Sequence, residues 1–450
     1  MVGYRSTATK RTHVPSFREA LFLGQAPDGG LLVPEAVPQL AIPLLRESTW
    51  LRRATGVMQA WLAGELAPEL VARLCHGALD LPVPVRRVDP NTWIAELFHG
   101  PTGAFKDFGA RFLAHAMTAL RDADRRVTVL VATSGDTGSA VANAFSGLDA
   151  RVVLLYPAGR VSALQELQLT AVPENAFSIR VEGTFDDCQA LVRAAFSDVR
   201  LVADLGLTSA NSINIGRLLP QTAYAVHAAL ESGAEPRAFA PGMPGKNRST
   251  AKEAPLPMIV VPSGNLGNMT AALFAKHQGA PIGHVLAAVN RNDFLVRFLK
   301  TGKRRTAEVA ATPSNAMDVG NPSNLDRILA LYDGDLDAIR RDVSAIAIDD
   351  ETTLATMRDA YTRRGEFVCP HTAVGLAALA QWRAGHRDDG PAVVYATAHP
   401  GKFADVVYRA TGEEPPLPAA FADLERARRT PLTLRADAAA FLALLRRLGS

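Results

Sequence analysis

A single lysine, Lys106, stands between two aromatic residues in the segment AFKDF. It follows a Gly/Pro-rich turn, and the apolar residues after it recur at helical spacing, which predicts that Lys106 lies in the first turn of an amphipathic helix. The positive end of a helix dipole and the loss of hydration between aromatic rings both favour the neutral amine. A neutral amine is what a lysine needs to form a Schiff base. An isolated lysine in such a position is more often a solvated surface residue, so the pattern alone leaves both interpretations open.

A glycine-rich turn, SGNLGN at 263–268, lies between a β-branched run and a helical pattern. Gly264 and Gly267 permit close backbone approach, and the N–H groups at a helix N-terminus bind anions without a cationic side chain. This turn therefore predicts a phosphate site, with an ordinary strand-to-helix turn as the alternative.

A second turn of this kind, TSGDTG, occupies 133–138. Asp136 would repel a dianion, so we expect Ser134, Thr137 and the nearby amides to bind a polar ring or a carboxylate instead. The alternative is a capped helix start. Neither turn is a Walker motif, because no Gly-Lys-Ser/Thr follows.

These residues have to be positioned by an α/β framework. Short apolar runs begin near residues 127, 151, 255, 284 and 391, and they alternate with helical patterns. Such alternation is typical of an α/β fold with mostly parallel sheets. The segment 231–257, rich in Pro, Gly and charge, predicts a loop or mobile insertion. The first 90 or so residues have Pro-punctuated helical patterns and predict a separate capping region.

Composition favours a globular protein that acts on small molecules. The 450 residues are 48% hydrophobic and 21% charged, and 48 basic against 45 acidic residues give a net charge of +3 without a basic block. Nucleic acid is therefore not the expected partner. The sequence contains no run of about 18 apolar residues, so no membrane partner is expected either.

The cysteines and the N-terminus indicate a cytoplasmic protein. Cys75, Cys188 and Cys369 are far apart and form no CxxC pair, which argues against a disulfide framework or a metal site and suits a reducing compartment. The first 18 residues carry four basic residues and no acidic one. A transit peptide has this composition, but a short basic N-terminal segment is the interpretation we prefer.

Several longer blocks resemble one family. The segment ELFHGPTGAFKDFGARF is similar to the cofactor-lysine segment of threonine synthases, fold type II enzymes that use pyridoxal 5′-phosphate (PLP). The likeness continues, in the family's order, through STATK, SFREALFLGQAPDGGLLVPEAVP, TSGDTGSAVA, NSINIGRLLPQ, VPSGNLGNMTAALFAK, NRNDFLVRFL, PSNAMDVGNPSN, PHTAVG and TAHPGKF. These blocks are spread over nearly the whole chain.

The resemblance implies a fold similar to the tryptophan synthase β subunit, with two α/β domains, mostly parallel sheets and an N-terminal capping region. We expect the family's N-terminal region at 1–95, a small α/β domain at 126–229, and a large PLP-binding domain from 96–125 and 230–450 with C-terminal helices. A monomer or a homodimer is expected.

The resemblance also assigns site residues. Lys106 is expected to be the Schiff-base lysine and the catalytic base, and Asp136 is expected beside the 3′-oxygen of PLP. Thr397 is expected to be the hydroxyl partner of the pyridine nitrogen, a neutral group that makes the ring a more moderate electron sink than a carboxylate would. The remaining cofactor-binding residues implied are Gly264, Asn265, Leu266, Gly267 and Asn268. For the substrate carboxylate we expect Ser134 and Thr137, and for its phosphate Asn214 and Arg217, with Ser314 and Lys402 as weaker candidates.

The activity implied is the conversion of O-phospho-L-homoserine and water to L-threonine and phosphate, by γ-elimination followed by β-addition. A PLP enzyme that runs a different β- or γ-elimination or replacement is the first alternative, and a non-catalytic binding protein is the second. The chain departs from many family members at Ile215, where they have an aromatic residue, and at Leu266-Gly267-Asn268, where they have Phe-Gly-Asp. These departures leave the cofactor site intact but put the wall near the substrate in doubt.

Overall fold

The computed structural model describes residues 1–9, 13–14, 16–122, 125–133, 135–233, 255–386 and 390–449. The predicted loop at 231–257 lies mostly outside these described residues. The strands are β1 Tyr4–Ser6, β2 His13–Val14, β3 Leu32–Pro34, β4 Val85–Asp89, β5 Thr92–Glu96, β6 Thr128–Ala132, β7 Arg151–Pro157, β8 Ala176–Glu182, β9 Leu207–Ser209, β10 Met258–Pro262, β11 His284–Val289, β12 Val343–Ala347, β13 Ala392–Ala396 and β14 Leu432–Arg435.

Helices occupy most of the intervening chain. They are α1 Phe17–Leu23, α2 Ile42–Arg46, α3 Trp50–Leu62, α4 Pro68–Leu79, α5 Lys106–Leu120, α6 Asp136–Ala144, α7 Ala163–Thr170, α8 Phe185–Ser197, α9 Val199–Leu205, α10 Ile215–Leu218, α11 Gln221–Glu231, α12 Gly267–His277, α13 Phe294–Thr301, α14 Leu325–Leu331, α15 Leu336–Asp342, α16 Asp350–Arg364, α17 Pro370–His386, α18 Ala404–Thr411, α19 Leu424–Ala427 and α20 Ala438–Gly449, with short 3-10 helices at Asn315–Met317, Pro400–Phe403 and Ala419–Phe421.

Two sheets carry the fold. The larger sheet has the strand order β12-β11-β10-β13-β5-β4, and the smaller has the order β14-β8-β7-β6-β9. All neighbouring pairs are parallel except β4 with β5. Every residue of β6, β10 and β13 is buried, as expected for apolar strands that helices cover on both faces. The predicted α/β fold with mostly parallel sheets is confirmed.

Sheet membership differs from the predicted domain boundaries at both ends. The β4–β5 hairpin, 85–96, pairs with β13 and so belongs to the larger sheet, although we expected the N-terminal region to run to residue 95. At the C-terminus, β14 pairs with β8 of the smaller sheet, and Phe441 and Leu445 of α20 enter that sheet's core. The exposed pattern of β14 gave the sequence no apolar run by which to place it.

The N-terminal region forms a small antiparallel sheet of order β2-β1-β3 and helices α1 to α4. Trp61 of α3 is buried against Phe274 of α12, with ring centroids 5.7 Å apart, and its indole N–H donates to Thr222 of α11. These contacts pack the capping region onto the helices of the larger sheet. No helix in the part of the chain described here is long and apolar enough to cross a membrane.

A buried arginine ties three segments together. Arg327 of α14 is fully buried, and its guanidinium donates to the carbonyls of Leu32 at 2.9 Å and Ser212 at 2.8 Å, and to that of Ile213. It also donates to Asn324 at 2.7 Å. Burial lowers the pKa of Arg327 to about 9. The bonds to Ser212 and Ile213 fix the segment that leads into α10, next to the cleft described below.

We predict that Arg327→Met lowers the free energy of unfolding by about 3 kcal/mol, because several buried carbonyls lose their donor. The measurement is chemical denaturation of the full chain. Arg363→Met is the control, since Arg363 is exposed and forms only an i,i+4 ion pair with Asp359. Its expected effect is about 0.5 kcal/mol or less. Equal effects of the two substitutions would contradict the role given to Arg327.

Candidate active site

The loops that follow four parallel strands meet at one cleft. The segment from β5 leads to Lys106, β10 leads to SGNLGN, β13 leads to Thr397, and β6 of the smaller sheet leads to Asp136. The carboxyl ends of parallel strands are the usual place for a ligand in α/β proteins. The cleft extends along the groove between the two sheets. Its volume of about 3070 Å³ exceeds that of a pocket for a single small ligand.

Lys106 begins α5, as predicted, and its side chain is 17% exposed, toward the cleft. Burial is the largest effect on its amine and lowers the pKa of Lys106, with Lys402 and Arg217 acting in the same direction and the Asp136 carboxylate opposing them. Phe105 places its ring centroid 5.1 Å from Nζ. Phe108 does not flank the amine, because it turns into the core against Trp50 and Tyr224.

Asp136 lies at the start of α6 and is almost fully buried. Its Oδ2 is 3.5 Å from Nζ of Lys106, and its Oδ1 accepts hydrogen bonds from Lys402 at 2.9 Å and from Gln165 at 3.1 Å. Burial alone would raise the pKa of Asp136, but the two lysines and the hydrogen bonds outweigh it and hold the pKa far below its usual range. The surroundings therefore favour the ionised form of Asp136.

The SGNLGN loop is held in place by its neighbours. Leu266 adopts the left-handed conformation, with φ of 61°, and α12 begins at the next residue. The side-chain amide of Asn265 donates to Ser212 at 2.8 Å and to Ser323 at 2.9 Å. The backbone carbonyl of Asn265 accepts a hydrogen bond from the side chain of Asn324 at 3.0 Å. The first N–H groups of a helix have no partner within the helix, so this loop presents backbone donors at the cleft.

Gly264 makes the closest approach in this loop. A Cβ at this position would lie 2.8 Å from Cα of Met317, closer than real Cβ atoms approach a backbone. The 3-10 helix Asn315–Met317 therefore fits over the loop only because residue 264 is glycine.

Thr397 follows β13 and lines the cleft with 5% of its surface exposed. Its carbonyl accepts a hydrogen bond from the N–H of Phe105 at 2.9 Å, which fixes the position of Thr397 beside the start of α5. Thr137 in the first turn of α6 and Arg217 in α10 line the same cleft.

Arg217 is nine-tenths buried or more and donates to the carbonyl of Ala210. Within the described residues its Nε has no hydrogen-bond partner, and the same holds for Nδ2 of Asn268, whose Oδ1 accepts from Tyr224 at 2.8 Å. Burial lowers the pKa of Arg217 to about 10, so the guanidinium stays charged at neutral pH. Two residues that line the cleft thus carry buried donors that no described residue uses.

Three of the predicted substrate-binding residues do not line the cleft. Asn214 is fully buried; its amide donates to Leu21 and Ser209, and its oxygen caps α10 by accepting from Gly216. Ser314 is buried in a network with Asn290 and Thr312. Lys402 pairs with Asp136 behind the cleft. In this structure the three side chains are engaged by other residues of the chain, and Ser134 lies outside the described residues.

Sequence reasoning missed Asn315 and His371, which line the cleft, and Gln165, which contacts Asp136. Gln165 donates to Asp136 and accepts from Asn315 at 3.3 Å, which links α7 of the smaller sheet to the loop over Gly264. His371, at the start of α17, is 3% exposed, and within the described residues neither ring nitrogen has a hydrogen-bond partner. Burial lowers its pKa to about 4, so its imidazole is neutral. The blocks PSNAMD and PHTAVG contain two of these residues, but no chemical pattern distinguished them.

The residues present fit PLP. The cofactor is an aldehyde with a phosphate and a pyridine nitrogen, and the cleft brings together an amine with a lowered pKa, a backbone anion site and a neutral hydroxyl. The unpartnered donor on Asn268 and the close fit at Gly264 are what a loop that cradles a phosphate requires.

Comparisons with known proteins agree with this geometry. A family model described as "Pyridoxal-phosphate dependent enzyme" matches residues 79–398, which is more than half of the chain. Models described as "Threonine synthase N terminus" and "Threonine synthase, C-terminal" match residues 3–79 and 372–444.

Individual relatives cover nearly the whole chain. The threonine synthase of Haemophilus influenzae is 39% identical over 409 residues, 90% of each chain. The crystal structure of threonine synthase from Escherichia coli is 37% identical, with a TM-score of 0.87 over 99% of each chain. The PLP-bound threonine synthase structure from Brucella melitensis is 33% identical, with a TM-score of 0.88 over 100% of each chain.

We predict that Gly264→Ala weakens PLP binding about tenfold or more, a loss of roughly 1.4 kcal/mol, because the loop must move away from Met317 and misplace its donors. The measurement is a titration of the full-length apoprotein with PLP, followed by absorbance. Gly385→Ala is the matched control, since a Cβ there meets nothing within 4 Å. Unchanged affinity in Gly264→Ala would contradict the cradle.

Proposed function

Because the chain belongs to the threonine synthase family of PLP-dependent enzymes, we propose that it converts O-phospho-L-homoserine and water to L-threonine and phosphate. The observation that carries the proposal is the position of Lys106. Its amine, with a lowered pKa, faces the same cleft as the SGNLGN anion site and Thr397. An amine, a phosphate cradle and a neutral hydroxyl in one cleft are the parts that a PLP lyase needs.

Lys106 is the group that moves protons. The reaction breaks the bond between Cγ and the phosphate oxygen and adds the hydroxyl of water to Cβ. Protons therefore leave Cα, Cβ and water, and they arrive at Cγ, at Cα and on the released phosphate. PLP, when bound, supplies an electron sink for the negative charge that develops on these carbons. The lowered pKa of Lys106 favours the unprotonated amine, which is the form that a general base requires.

The surroundings of Lys106 limit what else takes part in proton transfer. Asp136 stays ionised and bound to Lys402, so it accepts hydrogen bonds but holds no proton to give. Thr397 offers a neutral hydroxyl, which would not stabilise a proton on the pyridine nitrogen of PLP as a carboxylate would. His371 lines the same cleft as a neutral imidazole, ready to donate or accept one hydrogen bond.

The substrate carries a carboxylate and a phosphate, and we assign an anchor to each. Thr137 and the amides of the first turn of α6 are proposed for the carboxylate, because a helix N-terminus favours an anion. Arg217 is proposed for the phosphate, because it lines the cleft, its guanidinium is charged at neutral pH, and its buried Nε has no hydrogen-bond partner within the described residues. Ile215 precedes Arg217 by two residues but is fully buried and does not line the cleft.

A PLP enzyme with a different β- or γ-elimination or replacement is the alternative activity. The relatives that cover nine-tenths of this chain are named threonine synthase, and this favours the first activity over the alternative. We further propose that the protein works in the cytoplasm as a monomer or homodimer. Its three cysteines are free, buried thiols, which suits a reducing compartment.

Product analysis tests the activity. The full-length protein with PLP is incubated separately with O-phosphohomoserine, O-phosphoserine and serine, and threonine, 2-oxobutyrate, pyruvate and phosphate are measured. We expect threonine and phosphate in equal amounts from O-phosphohomoserine alone, and neither from the Lys106→Ala variant. Absence of threonine with all three substrates would exclude the proposed activity, while 2-oxobutyrate or pyruvate would favour the alternative.

We predict that Arg217→Met raises KM for O-phosphohomoserine about 30-fold or more, equivalent to roughly 2 kcal/mol for a hydrogen bond to a charged group. PLP affinity should change little in this variant, because Arg217 is assigned to the substrate. Arg297→Met provides the control: Arg297 pairs with Asp293 on α13, away from the cleft. An unchanged KM, or a loss of PLP binding with an unchanged KM, would contradict the assignment.

A further inference from the structure

Lys402 carries a buried charge that the reaction as described does not use. Its side chain is fully buried, in the 3-10 helix Pro400–Phe403, and it does not line the cleft. Its Nζ donates to Oδ1 of Asp136 at 2.9 Å and to the carbonyl of Thr102 at 2.8 Å. Burying an ammonium is costly unless it is paired and hydrogen-bonded, so a lysine held in this way needs an explanation.

The geometry places two ammonium groups around one carboxylate. Lys402 is within hydrogen-bond distance of Asp136, whereas Nζ of Lys106 lies farther away, at 3.5 Å from the other oxygen. Both ammonium groups lower the pKa of Asp136, and the effect of Lys402 is larger than the effect of Lys106. The Asp136 carboxylate therefore interacts more strongly with Lys402 than with Lys106.

We propose that Lys402 is a positioning residue: it engages the Asp136 carboxylate and thereby leaves Lys106 free to act as an unprotonated amine toward the cofactor. Asp136 without Lys402 would be a buried carboxylate whose nearest cation is Lys106. The attraction between these two would hold the proton on Lys106, because charges separated by a few ångströms inside a protein interact strongly. The inference rests on the proposed PLP chemistry but not on the identity of the substrate.

The other titratable groups around the two lysines do not take over this role. His371 and His399 have pKa values lowered to about 4, first by burial, so both are neutral above that pH. Arg217 adds a positive charge that also lowers the pKa of Lys106. Asp107, whose pKa is raised by burial, accepts both its hydrogen bonds from Thr102. Within this group Asp136 is the carboxylate in contact with both lysines.

The test compares Lys402→Met with Lys402→Arg in the full-length apoprotein. Methionine removes the charge at nearly constant length, and arginine keeps it. Lys276→Met is the matched control, because Lys276 also pairs with an aspartate, Asp342 at 3.3 Å, and donates to two backbone carbonyls, but it lies outside the cleft. The probe is PLP, and the readout is the rate at which its absorbance band with Lys106 forms, measured as a function of pH.

We expect the midpoint of this rate profile to move to higher pH by about one unit in Lys402→Met, which is a tenfold slower reaction at a pH below both midpoints. The direction follows from linkage: the unprotonated amine reacts, and a carboxylate released from Lys402 raises the pKa of Lys106. In Lys402→Arg the midpoint should stay close to that of the unsubstituted protein, and Lys276→Met should leave the midpoint unchanged even though it lowers stability.

A double-substitution cycle separates the action through Asp136 from the direct repulsion between the two lysines. The effect of Lys402→Met on the midpoint is measured with Asp136 present and again in Asp136→Asn. If Lys402 acts through Asp136, the shift is larger with aspartate than with asparagine. Equal shifts would overturn the proposal, because only the direct charge of Lys402 would then act.

Two further outcomes also overturn it. An unchanged midpoint in Lys402→Met, with a lower melting temperature only, makes Lys402 a structural residue. An unchanged midpoint with a raised KM for O-phosphohomoserine makes it a substrate-binding residue instead. If Lys402→Met does not fold, Lys402→Gln and the same substitution in Asp136→Asn provide the cycle. The PLP readout needs no substrate, so failure of the proposed function in the product assay is distinguishable from failure of this inference.

Discussion

The buried Asp136 carboxylate is the interaction on which the arrangement of the site depends. It lies at the end of a strand of the smaller sheet, and it contacts two lysines that follow strands of the larger sheet, Lys106 after β5 and Lys402 after β13. Because Asp136 and Lys402 are buried, water screens their charges only weakly, and the distances between the carboxylate and the two ammonium groups strongly affect their electrostatic interaction. One carboxylate therefore links the two sheets at the cleft and also affects the pKa of Lys106.

Around this charged centre, most of the site is made of backbone rather than of charged side chains. The SGNLGN loop offers amides at the start of α12, and Asn265, Ser323 and Asn324 hold it in place through hydrogen bonds. Met317 lies against Gly264, so the loop has little freedom to move. A rigid backbone site of this kind binds phosphate without adding a cation near Lys106, and this leaves the charge balance with Asp136 undisturbed.

Much of this was predictable from short stretches of sequence. The apolar runs near 127, 151, 255, 284 and 391 each form a strand, because a β-branched run between turns has few other ways to be buried. Lys106 begins its helix and SGNLGN precedes another, as expected from local spacing. What the sequence did not indicate is the contacts between residues that are distant in the chain. The side chain of Asn214 donates to the carbonyls of Leu21 and Ser209, and Lys402 pairs with Asp136. Nothing in NSINIGR or HPGKF indicates these contacts.

By itself the sequence determined the elements and the family and singled out Lys106 as the proposed Schiff-base lysine, because these depend on local periodicity, on glycine at turns and on blocks long enough to be specific. Only the tertiary structure decided which polar side chains face the cleft and which are buried behind it. It also decided that β4, β5 and β14 extend sheets on either side of the predicted boundaries. The physical reason is that burial and charge pairing are properties of the whole packing: a lysine becomes a base or the partner of a carboxylate according to what the fold places a few ångströms from its amine.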